Sequence, residues 1–140
     1  NVYHVMMDKH YDPETDNLES CTICTLLHDL CKAGFYDVEY RNRKNDAGVW
    51  EKVPVYVVND RFPYGHGEKS VFLIERFMKL KNEEAVAIRW HMGGFDDAVR
   101  GGSFALSLAF EKYPLAVKMH LADLESTYLR EHHTSAVTRR

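Results

Sequence analysis

The stretch Leu18-Glu19-Ser20-Cys21-Thr22-Ile23-Cys24-Thr25-Leu26-Leu27-His28-Asp29-Leu30-Cys31-Lys32 decides how this chain is read. Its apolar positions Leu18, Cys21, Leu26, Leu27, Leu30 and Cys31 are too dense for a helix with one buried face. Asn17 or Asp16 can cap its start, and Gly34 sits just past its end. The pattern predicts a helix from Leu18 to Lys32, central to the fold. Within it, His28 and Asp29 stand side by side. Burying an acid beside an imidazole is costly without compensation, and a metal ion compensates. Helix neighbours point about 100° apart, so this pair suits two metals with a bridging carboxylate. The plainer reading is a capped or salt-bridged pair near a helix end.

Outward from this helix, Asn1 to Tyr11 reads as helix already in progress, with Val2, Val5 and Met6 on one face. No capping residue precedes it, so residues upstream of Asn1 are expected to belong to the same domain. Val38–Arg41 and Trp50–Val57 alternate around the turn sequence Asn45-Asp46-Ala47-Gly48, which predicts a β-hairpin. Pro54 marks an edge strand or a bulge. A lone hairpin is marginal, so this one is expected to pack on helices. Helices are predicted from Glu68 to Leu80, Glu83 to His91 with Asn82 as cap, Ser103 to Lys112, and Pro114 to Arg130. A polar, Gly-rich loop joins Gly93 to Gly102. With no repeat, linker or low-complexity tract, the expectation is a single domain over 1–140. Its class is mostly α with one inserted β-hairpin.

Composition narrows the function. The chain has 140 residues, enough to bury a core. With 18 basic and 21 acidic residues, it is not a general nucleic-acid coater. No apolar run reaches membrane length and no signal peptide opens the sequence. Three cysteines cannot form a closed set of disulfides, so a reducing, cytoplasmic setting is expected. Cys21 and Cys24 match a CxxC spacing, but inside a helix they read as buried thiols. Eight histidines are the unusual count.

Those histidines fall at informative places. His66 lies between Gly65 and Gly67, directly before a helix; flanking glycines let the backbone approach a site. His91 ends a helix, where a positive imidazole is favoured in any case. Asp123 sits on an otherwise apolar helical face, with His120 three residues before it. Mixed imidazole and carboxylate ligands suit Mn²⁺, Fe, Co²⁺ or Ni²⁺, with Mg²⁺ also accommodated, better than structural Zn²⁺.

With His28-Asp29 followed by Lys32, then His66-Gly67, His91 and His120-Leu121-Ala122-Asp123, the sequence resembles the HD-domain metal-dependent phosphohydrolases. The resemblance covers roughly residues 1–130 and implies an HD-type helical core. It implies that His28, Asp29 and Asp123 ligate a first divalent metal, that Asp29 bridges, and that His66 and His91 hold a second. It implies hydrolysis of a phosphomonoester or phosphodiester, of a nucleotide above all, by metal-bound hydroxide, with Asp29 and Lys32 as catalytic residues. Lys32 and Arg89 are the expected phosphate contacts; Lys69 and Arg100 are further candidates. The spacing of the later ligands is similar to that of HD-domain 3′-to-5′ exonucleases. The inserted hairpin is closer to small HD hydrolases of bacteria and their phages. The family's first histidine has no counterpart, and His4 is the one substitute on that helix, although Val5 follows it.

The expected partner is a small phosphorylated substrate or nucleotide, with no membrane. Two alternatives stay open. One is an exonuclease or phosphodiesterase on nucleic acid. The other is a non-catalytic, metal-containing helical module.

Overall fold

The computed structural model describes residues 1–130. The fold is mostly helical with one two-stranded antiparallel hairpin. Helix α1 (Val2–Val5) loosens into a π turn over Met6–His10 and buries Val5 and Met6. Helix α2 (Leu18–Leu27) starts at Asn17, whose side chain accepts the Ser20 amide at 2.9 Å. The hairpin, β1 (Tyr36–Lys44) and β2 (Trp50–Val58), follows. Then come α3 (His66–Glu75), α4 (Asn82–Arg89), the single turn α5 (Asp97–Arg100), α6 (Ala105–Lys112) and α7 (Pro114–Glu125). Pro114 occupies the first turn of α7, as expected.

Helix α7 takes the central place that the apolar density of α2 suggested for α2. It packs against α1, α2, α4 and α6. Ala116, Met119 and Ala122 recur at three-residue steps along its buried stripe, and the two alanines admit close neighbours. Val5, Met6, Cys21, Cys24, Ile74, Ala87 and Ile88 complete the core around it. Helix α2 is only half sunk: Leu26 is 64 % exposed and Leu18 50 %. Cys21 and Cys24 are buried free thiols, and burial pushes Cys21 up to about 11.

The helix predicted to reach Lys32 stops at Leu27. His28 ends it, Asp29 leaves helical geometry, and Leu30–Lys32 forms a 3₁₀ turn. Ser70 of α3 explains the break. Its hydroxyl donates to the His28 carbonyl at 2.7 Å and accepts the Cys31 amide at 2.9 Å. Both backbone groups would be orphaned at a buried helix end without it. Helix α3 is likewise shorter than predicted, because the Glu75 carboxylate takes the Leu80 amide at 3.0 Å. The loop expected over Gly93–Gly102 contains α5, capped by Asp96.

The hairpin departs most from expectation. It pairs nine residues with nine, from Tyr36 opposite Val58 to Lys44 opposite Trp50. Instead of packing broadly on helices, it packs mainly on itself. Polar bonds hold its base: the Asn59 amide donates to the Phe35 carbonyl at 2.8 Å, and Arg61 pairs with Asp37 at 2.8 Å. No helix among the described residues is long and apolar enough to cross a membrane.

Replacing Ser70 with Ala leaves the Cys31 amide buried and unpaired. The expected cost is about 1–3 kcal/mol, read from the urea midpoint; an unchanged midpoint would show that Ser70 does not shape this helix end.

Candidate metal centre

Two helix ends and one helix interior build the site. Helix α2 ends at His28, and α4 ends just before His91. The last carbonyls of a helix lack amide partners. Each imidazole turns back to one of them: His28 Nδ1 donates to the Thr25 carbonyl at 2.9 Å, and His91 Nδ1 to the Ile88 carbonyl at 2.7 Å. Both partners lie three residues upstream. A carbonyl only accepts, so Nδ1 must carry the proton and Nε2 is the atom left to face the site. The rings meet edge to face, with centroids 5.0 Å apart.

Both Nε2 atoms are buried and make no hydrogen bond. Two carboxylates stand close to them. Asp29 Oδ2 is 3.4 Å from His28 Nε2, and Asp29 Oδ1 is 3.5 Å from His91 Nε2. Asp123 Oδ1, brought in by α7, is 3.6 Å from His28 Nε2. These separations are long for hydrogen bonds. Ligand atoms around one metal with bonds of about 2.1 Å sit roughly 3.0–3.5 Å apart, close to what is seen. His28, His91 and Asp123 form a group able to hold a divalent metal ion. Among the described residues it is the one group of three or more such side chains that converges.

The electrostatics favour a cation. Burial alone would push the His28 imidazole down, but Asp123 and Asp29 pull it up to about 9. Burial alone would raise Asp29, yet His28, His91 and Lys32 hold its carboxyl far below the usual carboxylate range. The negative ends of the α2 and α4 dipoles point the same way as the two carboxylates. Two orphaned lone-pair nitrogens facing two carboxylates fit a metal better than they fit a proton.

His91 lies beside His28, with Asp29 reaching both rings. The resemblance sets it apart with His66 on a second metal; in the structure it shares a centre with His28 and Asp123. His66 is not gathered into that group. It is exposed in the first turn of α3, with Nδ1 3.8 Å from Cys31 Sγ and its ring edge-on to Phe35. The glycines around it do place its backbone. Gly65 has φ +94°, and a Cβ on Gly67 would collide with the Arg89 backbone at the end of α4. His4 is exposed against Tyr3 and does not stand in for a ligand.

Lys32 sits beside the site. Its Nζ lies 3.1 Å from Asp29 Oδ2, three residues along, with half of its side chain exposed. Arg89 differs. Its guanidinium is taken by Glu68 at 2.5 Å and Asp96 at 2.7 Å, and it stacks on Trp90. It ties α3, α4 and the following turn together rather than standing ready for phosphate. Lys69 is buried and paired with Asp60 at 3.0 Å, and Arg100 is exposed on α5. His10 binds Glu125 at 2.9 Å, joining the first helix to α7. His132 and His133 lie outside the described residues.

His120 reads from the sequence as a residue behind the ligands, but the group it holds does not. His120 Nδ1 donates to the His91 carbonyl at 2.8 Å, so α7 supplies both Asp123 and a brace for His91. Gly93 makes this brace fit: its φ is +56°, and a Cβ there would collide with the His120 ring. The Gly93-Gly94 pair was the available signal, since one glycine suffices to end a helix.

Two outcomes follow for the metal-free protein. The raised His28 value stabilises the fold fully below about pH 6.5, the ordinary imidazole range, and that stability is lost as pH rises through about 9. Mn²⁺ affinity moves oppositely, rising across the same window as His28 gives up its proton. Thermal melts and calorimetric titration from pH 6 to 9 check both trends; Mn²⁺ affinity that falls with pH would contradict the ligand role. Gly93→Ala is expected to weaken Mn²⁺ binding roughly 10–100-fold by displacing the brace on His91; unaltered binding would refute that support. No protein-family model, curated protein or solved structure matches the chain.

Proposed function

We propose that the chain is a metal-dependent phosphohydrolase of HD-domain type, acting on a phosphomonoester or phosphodiester, a nucleotide above all. One observation carries the reading: two buried imidazole nitrogens without hydrogen bonds face two carboxylates, and a half-exposed lysine grips one of those carboxylates. A divalent cation bound there lowers the pKa of water and neutralises charge on phosphoryl oxygens.

The chain's own residues divide the remaining work. His28 and His91 present Nε2, with their tautomers set by Thr25 and Ile88. Asp123 faces the same centre from α7. Asp29 spans the two imidazoles with one oxygen each, which suits a bridging carboxylate. Lys32 has two further N–H donors beside the Asp29 contact. It fixes that carboxylate and meets a phosphoryl oxygen from the exposed side. Its pKa is raised despite burial because Asp29 lies next to it, so it stays cationic through neutral pH. His66, exposed beside the same 3₁₀ turn, is the remaining candidate ligand for a second ion.

The test is hydrolysis of p-nitrophenyl phosphate, its bis ester and a panel of nucleotides with Mn²⁺, Ni²⁺, Co²⁺ or Mg²⁺. Asp29→Ala is expected to abolish turnover. Lys32→Ala is expected to lower kcat about 10–100-fold while leaving metal stoichiometry intact. No turnover of any ester with any of these ions, in protein shown to carry metal, would overturn the reading.

A further inference from the structure

Among the described residues nothing covers one of the hairpin's two faces, and that face has a chemistry of its own. Directly opposed residues of an antiparallel pair point to the same side. Tyr36 stands opposite Val58, Tyr56 opposite Val38, Tyr40 opposite Pro54 and Trp50 opposite Lys44, with Lys52 between Tyr40 and Trp50 in rank. These residues share one face. Tyr40 is 69 % exposed, Trp50 67 % and Tyr56 81 %. The other face carries Val53, Val55 and Val57, which are half-buried.

The strand carboxylates are confined to one face, where Arg41 and Arg43 also stand. The strand carboxylates Asp37, Glu39 and Glu51 all fall on the valine face, where Asp37 meets Arg61 and Glu39 meets Arg41. The aromatic face has lysines 44 and 52 and no carboxylate. The chain's net charge of −3 hides this local cationic surface.

We propose that the aromatic face of the hairpin binds an unpaired nucleic-acid strand. Three tyrosines occupy three successive ranks, on alternating strands, and the tryptophan closes the row nearer the tip. Successive ranks on one face are about 7 Å apart. That is roughly twice the about 3.4 Å step of a stacked strand, so each ring meets one base of an extended strand. Aromatic rings accept any base face, and lysines beside them meet the phosphates. A protein partner of ordinary apolar character needs no exclusion of carboxylates from the face, and a duplex offers no free base faces.

The proposal does not depend on the metal centre, and its test keeps the two separate. Fluorescein-labelled oligouridylate and oligothymidylate are titrated with the full chain at low salt. The expected result is a saturable rise in anisotropy that weakens with added salt, with quenching of Trp50, since Trp90 is buried. Tyr40→Ala and Tyr56→Ala each weaken binding about tenfold, whereas Tyr40→Phe and Tyr56→Phe keep the ring and keep the affinity. Asp29→Ala binds as the native chain does. The proposal falls if neither oligonucleotide binds, if the alanine variants bind like the native chain, or if duplex binds as tightly as single strand. It also falls if sedimentation shows concentration-dependent pairing that shields Trp50, which would assign the face to a second copy.

Discussion

Two short hydrogen bonds, each from an imidazole Nδ1 to a carbonyl three residues upstream, support the rest of the site. Every helix leaves its last carbonyls unpaired. In α2 and α4 a histidine placed just past the end answers that need with its own ring. The bond makes a helix stop do the work of a ligand holder. It fixes the proton on Nδ1, turns Nε2 inward and removes the rotational freedom that a ligand on a loop would keep. Because both helices end in this way at the same place, two imidazoles converge without any sequence proximity.

The convergence depends on support from other elements. Ser70 closes the end of α2 by bonding on both sides of Asp29. Helix α7 runs through the middle of the fold, presents Asp123, and through His120 holds the carbonyl of His91. Lys32 steadies the exposed side of Asp29. With two carboxylates, two dipole ends and two unpartnered nitrogens, the centre is poised for positive charge. The same two carboxylates pull the His28 imidazole up, although burial alone would push it down.

Much of this was legible in the sequence. The hairpin's turn, the Asn17 cap, Pro114 in the first turn of α7 and the helical character of most of the chain all followed from local chemistry. His28, Asp29, His91 and Asp123 stand out by residue type and setting, and Lys32 enters through the resemblance alone. What local reading left out was tertiary in origin. The break after Leu27 depends on a serine 42 residues further on, and apolar density cannot register it. Leu26 counts as core by composition, yet the position of α7 leaves it exposed. The regrouping of His91 with His28 depends on how α2 and α4 meet. Arg89 reads as a phosphate contact in the sequence, but Glu68 and Asp96, brought to it by the fold, occupy its guanidinium. The hairpin's two faces are written in its alternation, but the exposure of the aromatic face among the described residues is a tertiary fact.

The central claim is that His28 and His91 serve the same ion. X-ray absorption at the metal edge tests it most directly, on protein loaded with one equivalent of Co²⁺. The account predicts scattering from two imidazoles per metal together with carboxylate oxygen, falling to one imidazole in both His28→Ala and His91→Ala. A spectrum with at most one imidazole in the native protein, or one that either substitution leaves unchanged, would contradict it.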